Sequence, residues 1–376
     1  MMLLDAKRIK ENIEKRIPDD VLSGRIGGAS VLVKQEGEVV YQGCFGRADD
    51  ERELTEDTIF RLASMTKPIT GVAVMKQVEK GLVSLDDTLD KFIPEYGEME
   101  IGRPSGDGIE IVGRAQGRIK IYHLLNHTSG VGCGELGMAL SKRLSLKEDY
   151  NIADIAKAYS ALPISFEPFT AQAYSGTVAF DLLARVVEIT SGMPYNEFVE
   201  QEITKPLGMA DTTFTPSDEQ WDRMVRMHDF KDGASSFHPL QKHTFGNFPL
   251  TYFCGGAGLV STVSDYVKFA DMLLCEGTSR DGVKILSPET VRFMRTVSVP
   301  DSIMQGSQKW AISMRVILEP TYGRLPVGAF GWSGAYGTHF WVDPENRVVA
   351  VYMKNSFYDG GSGALTAANF EKDVYL

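Results

Sequence analysis

Apolar positions change period along the first part of the chain. From Met1 to Ile17, Leu and Ile recur at helical spacing among Lys, Arg and Glu, the pattern of an amphipathic surface helix. Ala29–Lys34 and Val39–Gly43 then alternate with period two and are rich in β-branched residues. With Gln35-Glu36-Gly37-Glu38 between them they predict a β-hairpin. Thr58–Leu62 reads as a short extended segment. From Thr66 onward Ile69, Val72, Ala73, Met75 and Val78 mark a helix that stops at Lys80-Gly81, with Pro68 in its first turn, where proline is tolerated. Ser84-Leu85-Asp86-Asp87 looks like the cap of a short further helix.

Residues 97–118 are rich in Gly and charge, carry Pro104, and predict a loop excursion. Helical periodicity returns at Ile121–Asn126, Ile152–Ala161, Val178–Ser191 and Tyr195–Ile203, the last two separated by Gly192 and Pro194. Beyond Pro249, Leu259–Thr262 reads as a strand and Ser264 as the cap of a helix to Leu274. Ser287-Pro288-Glu289 opens another helix through Met294. Lys309–Ile317, His339–Val342 and Val348–Lys354 read as strands, the last two joined by the turn residues Asp343-Pro344-Glu345-Asn346. The tail from Gly363 to Tyr375 is helical. Strands at both ends with helices between them predict an α+β fold. An antiparallel sheet is built from both chain ends and flanked by helices, with an inserted, mostly helical region. We expect residues 1–67 and 250–376 to form the sheet domain, 68–249 the helical domain, and the active site to lie at their interface.

At 376 residues the chain exceeds one ordinary core, and its 43% hydrophobic and 24% charged composition is that of a soluble globular protein. The net charge of −11, without a long basic run, argues against a nucleic-acid partner. No stretch has the apolar length to span a bilayer, and the N-terminus lacks the h-region and cleavage site of a secretory signal, so a cytoplasmic location without a membrane partner is expected. Cys44, Cys133, Cys254 and Cys275 are scattered and read as free buried thiols. His123, His127, His228, His238 and His243 show no metal-binding spacing, and no glycine loop of phosphate-cradling type occurs, so neither metal nor cofactor is expected. Oligomeric state cannot be read from the sequence.

The candidate chemistry begins at Ser64-Met65-Thr66-Lys67, where the short extended segment meets the helix. A serine and a lysine three residues apart share a helix face, and a neutral amine there can accept the hydroxyl proton. Such a nucleophile needs a proton shuttle, two N–H donors for the oxyanion and a surface for the acyl group. Tyr174, in Gln172-Ala173-Tyr174-Ser175-Gly176, is the candidate shuttle. The Ser64 amide is one candidate donor. The other should lie near a strand edge close to Ser64, and the glycine-dense run Gly331-Trp332-Ser333-Gly334-Ala335-Tyr336-Gly337-Thr338 offers close backbone approach. Gly331-Trp332-Ser333-Gly334-Ala335 also has the outline of an α/β-hydrolase nucleophile elbow, but a strand rather than a helix follows it.

Taken in order, these pieces resemble the serine β-lactamase and penicillin-binding-protein superfamily in its class C branch. Phe60-Arg61-Leu62-Ala63 followed by Ser64-Met65-Thr66-Lys67 is similar to its first motif. Leu124-Leu125-Asn126-His127-Thr128-Ser129-Gly130 is similar to its Leu-Leu-x-His-Thr-Ser-Gly signature, and Tyr174 matches the tyrosine of Tyr-x-Asn. Gly255-Gly256-Ala257-Gly258-Leu259-Val260-Ser261-Thr262 and Ile285-Leu286-Ser287-Pro288-Glu289-Thr290 also read as family segments. Two positions depart from the pattern. Gly176 stands where lactamases carry the asparagine of the second motif. Trp332-Ser333-Gly334 replaces Lys-Thr-Gly, so an aromatic wall stands where a cation would attract a substrate carboxylate. Trp-x-Gly at this place looks like the family VIII carboxylesterases and related acyltransferases.

The resemblance implies a serine hydrolase acting through an acyl-enzyme, with Ser64, Lys67 and Tyr174 catalytic and the amides of Ser64 and Ala335 as oxyanion donors. Trp332, Ser333, Gly334, Tyr336 and Gly176 would contact the substrate. A carboxylesterase for short-chain or hydrophobic esters is the leading expectation, its partner a small-molecule ester or amide. A weak β-lactamase or D,D-peptidase, an acyltransferase, and a catalytically silent penicillin-binding-like protein remain the alternatives.

Overall fold

The run Val348-Val349-Ala350-Val351-Tyr352-Met353 is buried at every position, because both faces of this strand are covered. Val348, Ala350 and Tyr352 join Ile9, Ile13 and Ile17 of the first helix (Ala6–Leu22) and Phe370 and Val374 of the last (Leu365–Tyr375) in one apolar cluster. Val349, Val351 and Met353 point the other way. They join the main core with Tyr266, Phe269 and Leu273 of the helix Val263–Leu274. The period-two alternation of a strand thus becomes two separate cores. The computed structural model describes residues 2–106, 108–141, 149–320, 324–361 and 363–376.

Among the described residues, seven strands form one antiparallel sheet. Its spatial order is Glu38–Gly46, Gly28–Gln35, Val348–Met353, His339–Asp343, Phe330–Ser333, Arg315–Ile317 and Gln308–Trp310. Strands from both chain ends meet where Gly28–Gln35 pairs with Val348–Met353, as the α+β expectation requires. The first hairpin turns on Glu36 and Gly37, both at positive φ (51° and 90°), the two-residue geometry that matches strand twist. No helix among the described residues is long and apolar enough to cross a membrane.

Val263–Leu274 packs on the sheet's inner face, while the helix Thr66–Glu79 packs on the helices Val178–Ser191 and Tyr195–Val199, and its residues from Thr66 to Met75 are all buried. A helix covered all round has no polar stripe, so its polar side chains must find partners inside. Thr66 Oγ1 accepts from Leu259 N–H (3.1 Å), and Thr70 Oγ1 donates to Gly255 O (2.6 Å).

Several sequence expectations are corrected. Residues 97–118 do not form a simple loop: Glu100–Ser105 and Gly108–Arg114 make a hairpin. Most of its positions are exposed, so alternation marks no buried face. Lys309–Ile317 is not one strand. Gln308–Trp310 and Arg315–Ile317 pair with each other across a buried turn, where Ser313 lies at φ 61°. That turn, Ala311-Ile312-Ser313-Met314, has no Gly, Pro or Asn. Tertiary bonds hold it instead, Ser313 N–H to Leu125 O (3.0 Å) and Ile312 N–H to Met294 O (3.0 Å). Phe330–Ser333 is itself a strand, not only the approach to one. The cap of Val263–Leu274 is Thr262, whose side chain accepts from Asp265 N–H, rather than Ser264. The Ser84 segment leads to a single helical turn at Leu89–Lys91. The helix Gly134–Ser141 and the hairpin His228–Lys231/Ala234–Phe237 carried no signal that we read.

Candidate active site

Ser64 lies in one tight helical turn, Ala63–Met65, directly before the buried helix. The turn is strained, since Ala63 sits at φ 47°, where a Cβ is unfavourable. Tethers on the preceding residues hold it. Asn355 bonds both the N–H (2.8 Å) and the C=O (3.1 Å) of Arg61, Leu62 N–H donates to Leu259 O (2.9 Å), and Thr338 Oγ1 donates to Leu62 O (2.9 Å). The last tether fixes the Ala335 segment beside the serine. Gly334 makes that approach possible: a Cβ there would lie 2.2 Å from Leu62 O and 2.1 Å from Thr338 Oγ1.

Lys67 follows one helical turn after Ser64 and is fully buried. Its Nζ donates to Ser64 Oγ (3.1 Å), Gly176 O (2.5 Å) and Gly256 O (2.8 Å). Burying an amine without such partners would cost several kcal/mol, on the order of the penalty for an unpaired ion. Gly176 thus contributes a backbone carbonyl at the place where an asparagine side chain was missed in the sequence. Gly256 is packed against the same segment, since a Cβ there would meet Thr177 Cα at 2.7 Å.

Tyr174 donates to Ser64 Oγ (2.8 Å), and Lys67 Nζ stands 5.0 Å from the centre of its ring. The Tyr174 oxygen in turn receives the Trp332 indole N–H (3.3 Å). The ring is clamped by Trp310 (centroids 5.7 Å), Trp332 (5.4 Å) and His127 (4.7 Å). His127 Nδ1 accepts the Ser175 N–H (3.1 Å), which fixes the loop bearing Tyr174. Complete burial, and then the charge of Lys67, push the His127 imidazole well below its ordinary range, so it stays neutral.

A cavity of about 690 Å³ opens beside Ser64. Ile155, Tyr159, Val178, Phe245, Phe248 and Tyr252 supply its apolar walls. Gly176 and Ala335 line it close to the serine, and Glu135 is its only charged lining residue among those described. Under one wall, Tyr252 gives its hydroxyl to buried Asp181. Burial pushes that carboxyl up to about 6 against the hydrogen bonds that favour its ionised form.

The structure therefore brings Ser64, Lys67, Tyr174, Gly176 and Ala335 together. Three other expected substrate contacts stand behind the cavity wall instead. Trp332 backs Tyr174. Ser333, on the opposite face of the same strand, bonds His339 Nδ1 (2.8 Å) in a buried chain that continues to Glu371 (3.1 Å). Tyr336 packs on Phe245 (5.4 Å) and accepts the Gly246 N–H (3.0 Å). Gly334 serves as the point of close approach. Sequence reasoning missed Trp310, which ends the strand just before the buried turn, and the cavity wall from 245 to 252. His127 and Gly256 lay inside segments that had been noted without a role.

The family model described as Beta-lactamase matches residues 9–371. Esterase EstB of Burkholderia gladioli is 30% identical over 97% of this chain and 95% of its own. Monacolin J acid methylbutanoyltransferase of Aspergillus terreus is 29% identical over 73% of this chain and 67% of its own. In three dimensions, EstCE1, described as a hydrolase with promiscuous acyltransferase activity, superposes with a TM-score of 0.81 at 23% identity, covering 99% of both chains. Helices, antiparallel sheet, a buried Ser-x-x-Lys pair and its tyrosine all agree with that match: the chain belongs to the β-lactamase family.

Proposed function

We propose that the protein is a carboxylesterase that works through an acyl-enzyme on Ser64 and takes small esters with an apolar part. The observation that carries this reading is the apolar cavity beside Ser64. Among the described residues no Lys or Arg lines it, and an indole stands behind Tyr174. A β-lactam or peptide carboxylate finds no cation among those residues, whereas an uncharged acyl or alkyl group finds aromatic walls. The 30% identity to Esterase EstB supports the same choice.

Two carbonyls, Gly176 O and Gly256 O, occupy two of the Lys67 N–H groups. The remaining position on Nζ faces Ser64 Oγ, and a proton arrives or leaves there. In the proposed cycle Ser64 Oγ attacks the ester carbonyl and Lys67 takes its proton. The amides of Ser64 and Ala335 hold the oxyanion, with Ala335 N–H given to no backbone acceptor among the described residues. Tyr174 passes a proton to the leaving alcohol, and the C–O bond breaks to leave the acyl-serine and the free alcohol. Water then attacks and its proton restores Tyr174, Lys67 returns to Ser64 Oγ the proton it took, and the acid departs. All four cysteines are unpaired, which fits the cytoplasmic location we assign.

Ser64→Ala should abolish hydrolysis of p-nitrophenyl butyrate, and wild type alone should gain one fluorophosphonate adduct by intact mass. Undiminished turnover in Ser64→Ala would sink the reading. Nitrocefin turnover matching ester turnover would move it to a lactamase. The identity to a methylbutanoyltransferase supports a second fate for the acyl group. Alcohols added during turnover should reveal it as a transester product.

A further inference from the structure

We propose that a second pocket, next to the Ser64 cavity, binds an anionic oxygen group, carboxylate or phosphate, on the part of the ester that stays outside the apolar cavity. The word ester rests on the carboxylesterase reading; the anion site itself does not.

The pocket is built on Arg61, only 4% exposed. Its Nε donates to His243 O (2.8 Å), Nη1 to Val225 O (2.9 Å) and Nη2 to Gln241 O (2.8 Å). A guanidinium carries five N–H groups, so two have no acceptor among these. Its charge has no carboxylate within ion-pair distance among the described residues; besides the three carbonyls it has the Trp221 ring, 5.9 Å away. A buried charge without a counter-ion is costly in a folded protein, and burial pushes this guanidinium down to about 10. An anion would supply the missing charge.

Arg61 opens onto a cavity of about 220 Å³ that Arg226, His238, His243, Asn247 and Tyr336 also line, and among the described residues no Asp or Glu lines it. Nearby acids stand outside that lining. Asp49 and Asp50 lie 3.7 and 3.6 Å from Arg226, and Asp229 lies 3.9 Å from His238. The volume is below that of pockets holding a whole drug-sized ligand, roughly 300–1,000 Å³, and suits one charged group. Arginine pairs with planar carboxylates and with phosphates through two parallel N–H bonds.

The two cavities share a partition. Phe245 and Ala335 line the Ser64 side, and the next residues along the chain, Gly246 and Tyr336, line the Arg61 side. The Gly246 N–H to Tyr336 bond and the Phe245–Tyr336 contact hold that partition together. A substrate lying across it would place its apolar half by Phe248 and its charged half by Arg61.

Calorimetry with the Ser64→Ala protein, using propionate and inorganic phosphate as separate probes, tests the site without turnover. We expect saturable binding of at least one probe, weakened at least tenfold by Arg226→Gln and by His238→Ala, which change partly exposed residues, and further by Arg61→Met if it folds. Absence of binding by both probes, or equal binding in the variants, overturns the site. Wild type is then assayed on butyryl glycolate and on its uncharged methyl ester. A higher kcat/KM for the anionic ester, lost in Arg226→Gln through KM, is the expected result. Anion binding without any ester turnover would retain the pocket and reject the esterase reading; equal turnover of both esters would reject its use by substrate.

Discussion

One hydrogen atom on Trp332 separates a packing role from a chemical one. Phenylalanine at this position keeps much of the aromatic wall and removes the N–H given to Tyr174. A net hydrogen bond of about 0.5–1.5 kcal/mol predicts that Trp332→Phe lowers kcat roughly 2- to 10-fold, with KM on p-nitrophenyl butyrate changing less. Two glycines beside Lys67 should behave in opposite ways. No atom of the described residues lies within 4 Å of a Cβ built on Gly176, so Gly176→Ala should raise stability by about 0.4–1 kcal/mol in thermal unfolding. Gly256→Ala drives a methyl into Thr177 and separates the two carbonyls that hold Lys67. A kcat loss of about 10- to 100-fold is expected in steady-state assays, because small displacements of a reacting group are expensive. At this scale Ser64, Lys67 and Tyr174 were legible, since each needs its own side chain. Gly176 was legible only as a missing asparagine, because a carbonyl is carried by every residue and leaves no mark in the sequence.

Elements were readable where an apolar run is bounded by explicit cap or turn residues. The first hairpin, the helix Thr66–Glu79 and the strand Val348–Met353 fell where the pattern put them. The turn at Ala311–Met314 was invisible because its conformation is set by Leu125 and Met294, far away in the chain. That origin has a consequence for stability. Ser313 holds φ 61°, and its buried hydroxyl has no hydrogen-bond partner among the described residues. Left-handed backbone costs a non-glycine residue roughly 1–2 kcal/mol. Ser313→Gly should therefore leave stability equal or higher by about 1 kcal/mol in urea denaturation, and a loss above that size would show that the side chain packs usefully against Gly71. The hairpin at 100–114 failed for the opposite reason: its strands face solvent, so no alternation of burial was imposed on them.

For the molecule as a whole, buried histidines govern the response to acid. Burial, assisted by Lys120 and Lys354, pushes His123 and His228 down to about 4, and His127 lies well below its usual range. In the unfolded chain they bind protons near 6.5. Their contribution is intact above about 6.5 and is lost as pH falls toward 4, because only the unfolded chain takes up the protons. Asp181, raised to about 6, acts in the other direction, stabilising most at low pH and fading as pH rises through 6. Asp373, raised by burial, acts with Asp181, whereas the lowered carboxyls of Glu371, Asp211 and Glu202 act with the histidines. Urea midpoints should therefore fall from pH 7 through 5.5 to 4.5, and a midpoint that rises over this range would refute the assignment. Substituting His228 by Asn should flatten the slope.

The tether from Thr338 to Leu62 spans 276 positions of sequence. It joins the turn that carries the proposed nucleophile to the strand end that carries the proposed second oxyanion donor. A nascent chain exposes Ser64 and Lys67 long before Ala335 exists, and the entropy of closing so long a loop is met only when the last strands add to the sheet. In the proposed mechanism acyl transfer is thus delayed by topology: the serine is present early but lacks the Ala335 amide, so ester turnover should begin only when almost all of the chain has been made and folded.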